Sequence, residues 1–386
     1  MTRRQALSFM AATGFFASWP SLARANSTAP MLILIELQGA NDGLNTFIPY
    51  TDRNYYNLRP QIAIKRDDVL TVAPDMGFHF SLQNLARFYE SGHCQIVQNL
   101  GYPNPVLSHF RSIELWEKGG DGNRNFKSGW MVEPLNQLFN NADVDARALH
   151  LDEAGGVFKG GLDGFLGPSA IGYTPMKAEA RDSTVPVPDN TDIGLLGELL
   201  TTRQSNLEKI RTIQDKLDGS RRHFKFGRGS LGAQLSEVCS MISAGLTIPV
   251  YKVSIGSFDT HINQSNTHRD LLRELDEGIA GTVKALKDIG VWPNSLIMTY
   301  SEFGRRAGEN GSRGTDHGMA APHLLIGEKV NPGFTGHNPK LGQLHNNNLV
   351  YSIDYRGLYA HVLEHHFGLI DHPFISYRDP VFTPPA

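Results

Sequence analysis

The sequence predicts an α/β fold, a mostly parallel central sheet with helices on both faces. Three observations carry this reading. Short apolar runs of strand length recur along the chain, loops and helically spaced apolar residues separate them, and acids and histidines gather where the runs end. Ligands bind at that edge of open α/β sheets.

Taken in order, Met31 to Leu37 reads as a buried parallel strand closed by the tight loop Gly39-Ala40-Asn41-Asp42-Gly43. Leu82, Leu85 and Phe88 space a helix between Phe80 and Ser91, and Gln95 to Leu100 is a second strand. A loop from Pro103 leads to a helix opening at Ser108, a good N-cap residue, and ending at Gly119-Gly120. Ala148 to Leu151 and Ser169 to Gly172 are further strand segments on either side of a glycine-rich stretch, and Pro175 to Asn190 reads as a surface loop. A long helical stretch runs from Asp192 to Phe226, a helix from Leu231 to Ala244 and a strand from Val250 to Ile255. The last third repeats the opening pattern, with a helix from Asp270 to Ile289 and strands at Ser295 to Tyr300 and His323 to Ile326.

Composition excludes several classes. With 386 residues, 39 Gly, 21 Pro and 40% hydrophobic residues, the chain is neither disordered nor a coiled coil nor a collagen-like repeat. Its 36 Lys+Arg against 39 Asp+Glu lack the basic excess of a nucleic-acid binder. Cys94 and Cys239 are too few for a zinc ribbon; one bridge between them is open, and two buried thiols is the favoured reading. At the amino end, Arg3-Arg4 precede a weakly apolar stretch from Ala6 to Trp19 that closes on Ala23-Arg24-Ala25. The pattern resembles a twin-arginine export signal cleaved after Ala25, whose pathway carries folded proteins. The expected organisation is a signal over 1–25 and a single domain over 26–386. The expected location is the periplasm or the exterior, with the twin-arginine export machinery as a partner and no stable membrane anchor.

Four loops concentrate the chemistry: Asn41-Asp42, Asp259-Thr260-His261, Ser301-Glu302 and Asp316-His317-Gly318. Carboxylates and imidazoles gathered at one sheet edge are metal ligands in type, and such a gathering of acids is costly without a cation. The metal-ligand candidates are Asp42, Asp259, His261, Glu302, Asp316 and His317. Ser108, His109 and Arg111 open a helix whose amino end favours an anionic group. Ser108 reads as nucleophile or simple cap, and Arg111 as a contact to a substrate oxygen.

Gln38 to Asn45, Ser108-His109-Phe110, Ser301 to Arg305 and Gly314 to Gly318 resemble motifs of an exported family of unknown function grouped with the alkaline phosphatase and sulfatase superfamily. The resemblance implies an alkaline-phosphatase-like three-layer sandwich. It also implies that Asp42 opens the metal site, that Asp259 and His261 are its Asp and His pair, and that His317 is the late histidine ligand. Glu302-Phe303 stands where the superfamily has Asp-His, so one imidazole is missing from that strand end. Counting back from Trp116-Glu117-Lys118-Gly119 puts His109 at the nucleophile position, with Ser108 one residue away; His109 is alternatively the replacement imidazole. The expected function is metal-dependent hydrolysis of a small or polymeric anionic phosphate or sulfate ester with zinc, manganese or calcium. Attack comes from Ser108 or from water. A catalytically inactive binding protein of the cell envelope is the second expectation.

Overall fold

Nine strands form the central sheet of the computed structural model, which describes residues 29–383 apart from 125, 141, 153, 173–193 and 221. The signal over 1–25 and the loop from Pro175 to Asn190 therefore lie outside the described residues. In chain order the strands are β1 Met31–Leu37, β2 Cys94–Gly101, β3 Ala148–His150, β4 Phe165–Leu166, β5 Val250–Ile255, β6 Ser295–Tyr300, β7 Ala321–Gly327, β8 Gly333–Thr335 and β9 Ile353–Asp354. The helices that cover them are α1 Gln83–Glu90, α2 His109–Lys118, α3 Val132–Phe139, α4 Gly194–Ser220, α5 Ser230–Ser243, α6 Gln264–Ile289 and α7 Tyr355–His361. The strand order is β8-β2-β7-β6-β1-β5-β3-β4, with β9 also paired to β2. All pairings are parallel except those of β7, which runs antiparallel to β2 and β6.

The central strands are mostly apolar and buried almost throughout because both faces are covered. Ile33, Ile35 and Leu37 of β1 pack with Leu85 of α1, Leu235 of α5 and Leu275 of α6. Leu32 and Leu34 face the other way, into a core with Trp116 of α2, Leu135 of α3 and Leu358 of α7. The result is three layers. Among the described residues no helix is long and apolar enough to cross a membrane. Cys94 and Cys239 are buried and unpaired.

Several expected elements are corrected. Ser169 to Gly172 is no strand: Pro168–Ile171 forms one turn of 3-10 helix, where Pro168 fixes its own φ and Gly172 at φ 66° ends the turn. The helix expected from Asp270 starts earlier, at Gln264. The strand at His323 enters the sheet antiparallel, which puts the loop before it, rather than after it, on the carboxyl edge of β1, β5 and β6.

Beneath that edge lies a buried charge cluster. Lys252 of β5 is fully buried, with its Nζ 2.8 Å from Glu36 Oε2, hydrogen-bonded to Asp152 Oδ2 and 3.8 Å from Glu117 Oε1. Burial would lower the Lys252 pKa, but the surrounding carboxylates, Glu36 first, hold it above its usual value. The same burial pushes the Glu117 carboxyl up to about 8 despite Lys252. Glu117 therefore keeps its proton in the folded state at pH 7 and loses it in the unfolded state. Between about 4.5 and about 8 this group favours folding less as pH rises, by roughly 1.4 kcal/mol per pH unit. Glu117→Gln removes the titration. Its denaturation midpoint should match wild type near pH 4.5 and exceed it at pH 8 in urea titrations; an equal midpoint at both values would refute the assignment.

Candidate metal centre

The carboxyl ends of β1, β5 and β6 and the loop leading into β7 bring the motif residues together. The turn after β1 requires glycine at position 39: φ is +103°, and a Cβ there would lie 2.5 Å from the Asp259 backbone nitrogen. That close approach joins the first loop to the loop after β5. Ala40 and Ser257 also take left-handed conformations, at φ 65° and 74°, so both loops carry non-glycine residues in strained backbone.

Four atoms converge at the centre. His317 Nε2 lies 3.0 Å from His109 Nε2, 3.0 Å from His261 Nε2 and 3.3 Å from Asp259 Oδ1. Asp259 Oδ1 is in turn 2.9 Å from His261 Nε2 and 3.4 Å from His109 Nε2. Among the described residues, His109, Asp259 and His317 form a group able to hold a metal ion, one ligand atom from each lying within 4.8 Å of the others. An ion bound at about 2.0–2.1 Å by four ligands sets neighbouring ligand atoms roughly 2.9–3.4 Å apart. The observed spacings fall on that range.

Each imidazole is oriented from behind. His109 Nδ1 donates to Glu302 Oε1 at 2.7 Å, His317 Nδ1 donates to the Leu107 carbonyl at 2.9 Å, and His261 Nδ1 lies 3.5 Å from Asp316 Oδ1. A carbonyl or carboxylate accepts only, so these partners place the imidazole hydrogens on Nδ1 and turn the Nε2 lone pairs inward. Lone pairs facing one another at 3.0 Å repel unless a cation or a proton lies between them. The hydrogen bond to Glu302 raises the pKa of His109, whereas burial lowers that of His317. Asp259 stays ionised: burial would raise its carboxyl, but Arg305, donating to Oδ1 at 2.6 Å, holds it below the usual range.

The other site candidates take different places. Asp42, expected among the ligands, lies in a buried ion pair: its oxygens accept from Arg59 at 2.6 and 2.9 Å, and Gln264 donates to Oδ2. A fully buried carboxylate needs such a partner. Glu302 and Asp316 stand behind histidines instead of at the centre. Phe303 is buried with its ring 4.9 Å from that of His109 and 4.7 Å from that of His317, so it packs the ligand rings. Ser108 is exposed, and no hydrogen bond from its side chain caps α2. Arg111 does not face the centre; it pairs with Glu114 at 2.6 Å along the helix.

Arg59 and Arg305 were not singled out by sequence. Arg305 is fully buried and donates to the carbonyls of Gly39, Ala40, Phe258 and Thr315 as well as to Asp259, tying three loops into one frame. The only sequence signal was its place in the Ser301 to Arg305 motif. Arg59 sits in no motif.

Glu302→Gln keeps the shape behind His109 and removes the charge that raises its basicity. Zinc affinity, read by competition with a chromogenic chelator, should fall about 10–100-fold with the fold retained. Wild-type affinity in this variant would exclude Glu302 as a positioning residue.

The site thus defines an α/β protein with a three-imidazole, one-carboxylate cluster at the carboxyl edge of its sheet. A family model described as Protein of unknown function (DUF1501) matches residues 238–373, which hold Asp259, His261, Glu302 and His317. No curated protein matches the sequence. Among solved structures the chain is similar to a protein of the alkaline phosphatase superfamily from Vibrio parahaemolyticus, at 10% identity and TM-score 0.35, over 82% of this chain and 65% of that one. It is also similar to the PsFucS1 sulfatase from Pseudoalteromonas sp., at 12% identity and TM-score 0.39, over 91% and 70% of the two chains. A third is the C-terminal periplasmic domain of EcEptC from Escherichia coli in complex with zinc, at 11% identity and TM-score 0.36, over 78% and 73%.

Proposed function

We propose that this protein is an exported, metal-dependent hydrolase of phosphate or sulfate esters. The observation that carries the reading is the convergence of His109, His261 and His317 Nε2 with Asp259 Oδ1, each histidine held from behind by an acceptor. Three nitrogens and one carboxylate suit zinc or a neighbouring transition ion and disfavour calcium, which takes six to eight oxygens. A divalent cation held by these residues would supply Lewis-acid polarisation of an ester oxygen and neutralise charge developing on it. Around it, Arg305 fixes Asp259, Glu302 fixes His109 and Phe303 excludes water from the back of both rings. Ser108, at the exposed amino end of α2 and beside His109, is the assigned nucleophile.

The test is turnover of 4-methylumbelliferyl phosphate and 4-methylumbelliferyl sulfate by zinc- and manganese-loaded protein against a chelated control. Ser108→Ala should keep its metal and lose about 10³-fold or more in kcat; an unchanged kcat would assign the attack to water. One observation favours the second reading, a catalytically inactive binding protein of the cell envelope. No imidazole or carboxylate hydrogen-bonds the Ser108 hydroxyl among the described residues. Full metal occupancy without turnover of either ester would select that reading.

A further inference from the structure

We propose that the cleft along the outer side of α2 is a saccharide subsite, which binds a neutral, hydroxylated ring next to the metal centre. The inference names the group an ester substrate carries, and it rests on the hydrolase reading only for where the ester lies.

The cleft has a volume of about 560 Å³, within the size range of small-molecule sites. One wall is a single stripe of α2, with Phe110, Glu114 and Glu117 spaced over two turns; the other is the glycine-rich segment 154–161. Phe110, in its lining, follows His109 on α2, which sets the cleft at the amino end of the helix that also carries a histidine of the cluster. Phe110 is 90% exposed, the largest apolar side chain left so open among the described residues. An aromatic face bare to solvent beside a polar cleft stacks on the C–H face of a ring.

Charge excludes the other ligand classes. Glu114 is bound by Arg111 at 2.6 Å and Lys118 at 2.7 Å, so it offers no unpaired negative charge to an ammonium group. Glu117, protonated at neutral pH, offers none either. Lys159 is a single exposed cation at this cleft, too little for a polyanion.

What the cleft does offer is hydrogen-bonding capacity at its floor. Glu117 Oε1 is buried without a hydrogen-bond partner, 3.8 Å from Lys252 Nζ, and a protonated carboxyl both donates and accepts, as a sugar hydroxyl does. Gly156 packs directly on this carboxyl: a Cβ there would lie 1.6 Å from Glu117 Oε1. His150, with Nδ1 held by Asp152, adds a second polar group beside it.

Saturation-transfer NMR on the zinc-loaded full-length protein tests this, with glucose, galactose, N-acetylglucosamine, lactose and maltose as neutral probes and phenol as the apolar one. At least one saccharide should bind, and Phe110→Ala and Glu117→Leu should each weaken it at least tenfold. Phe110 is solvent-exposed, so its removal leaves the fold intact, and circular dichroism verifies this for both variants. Binding of none of the saccharides, binding indifferent to both variants, or saturation by phenol alone would overturn the proposal. Ester turnover without saccharide binding would sink the subsite and leave the hydrolase, and saccharide binding without turnover would do the reverse.

Discussion

Replacing His317 with Ala is expected to abolish cation retention by the proposed metal centre. His317 Nε2 is the central donor, within 3.0–3.3 Å of the other three ligand atoms. Its deletion therefore opens the coordination where the ligands meet, and the loss should exceed the 10–100-fold of a positioning variant such as Glu302→Gln. The remaining imidazoles come from α2 and the loop after β5, which Arg305 and Glu302 tie together independently of His317. The variant should thus fold and stay empty. Elemental analysis after dialysis checks this: stoichiometric zinc or manganese in wild type and none in His317→Ala. A variant that keeps stoichiometric metal would show that the centre is not the one built by these four residues, and the hydrolase reading would fall with it.

The second large effect concerns stability. Lys252→Met should cost about 3–5 kcal/mol at pH 8, because it leaves Glu36, Asp152 and Glu117 buried without their shared cation. The sign of its pH dependence follows. Without Lys252 the buried carboxyls have folded pKa values above their unfolded ones, so their contribution is present at low pH and lost as pH rises. The gap between variant and wild type should therefore narrow from pH 8 to pH 5. Urea denaturation at the two values checks both points. A gap under 1 kcal/mol at pH 8, or one that widens on acidification, would contradict the cluster as described.

The same cluster marks what sequence patterning hides. Lys252 interrupts an apolar strand, and nothing nearby in sequence announces its partners, since Glu36, Asp152 and Glu117 come from three other elements. The strands themselves were legible. Residues 31–37, 250–255 and 295–300 are mostly apolar and buried almost throughout, and only a doubly covered sheet buries such runs. Ser169 to Gly172 misled because a short apolar run carries no period to separate a strand from a turn, and Pro168 decided the matter locally.

For the site, each of Asp259, His261 and His317 alone is a weak signal, and only their joint occurrence in loops at strand ends points to one edge of the sheet, where the structure sets their side chains together. The sequence alone also held Glu302 and His109 as participants without fixing their parts. Only the tertiary structure decided those parts. The antiparallel entry of β7 carries His317 to the edge where the other ligands lie. Arg59, 17 residues from Asp42, holds that carboxylate in a buried ion pair. The orientation of α2 turns His109 inward and leaves Phe303 to pack against it. Each of these depends on where backbone from distant segments meets, and local propensity carries no record of that; a buried charge acquires its partner, and an imidazole its role, only when the layers close.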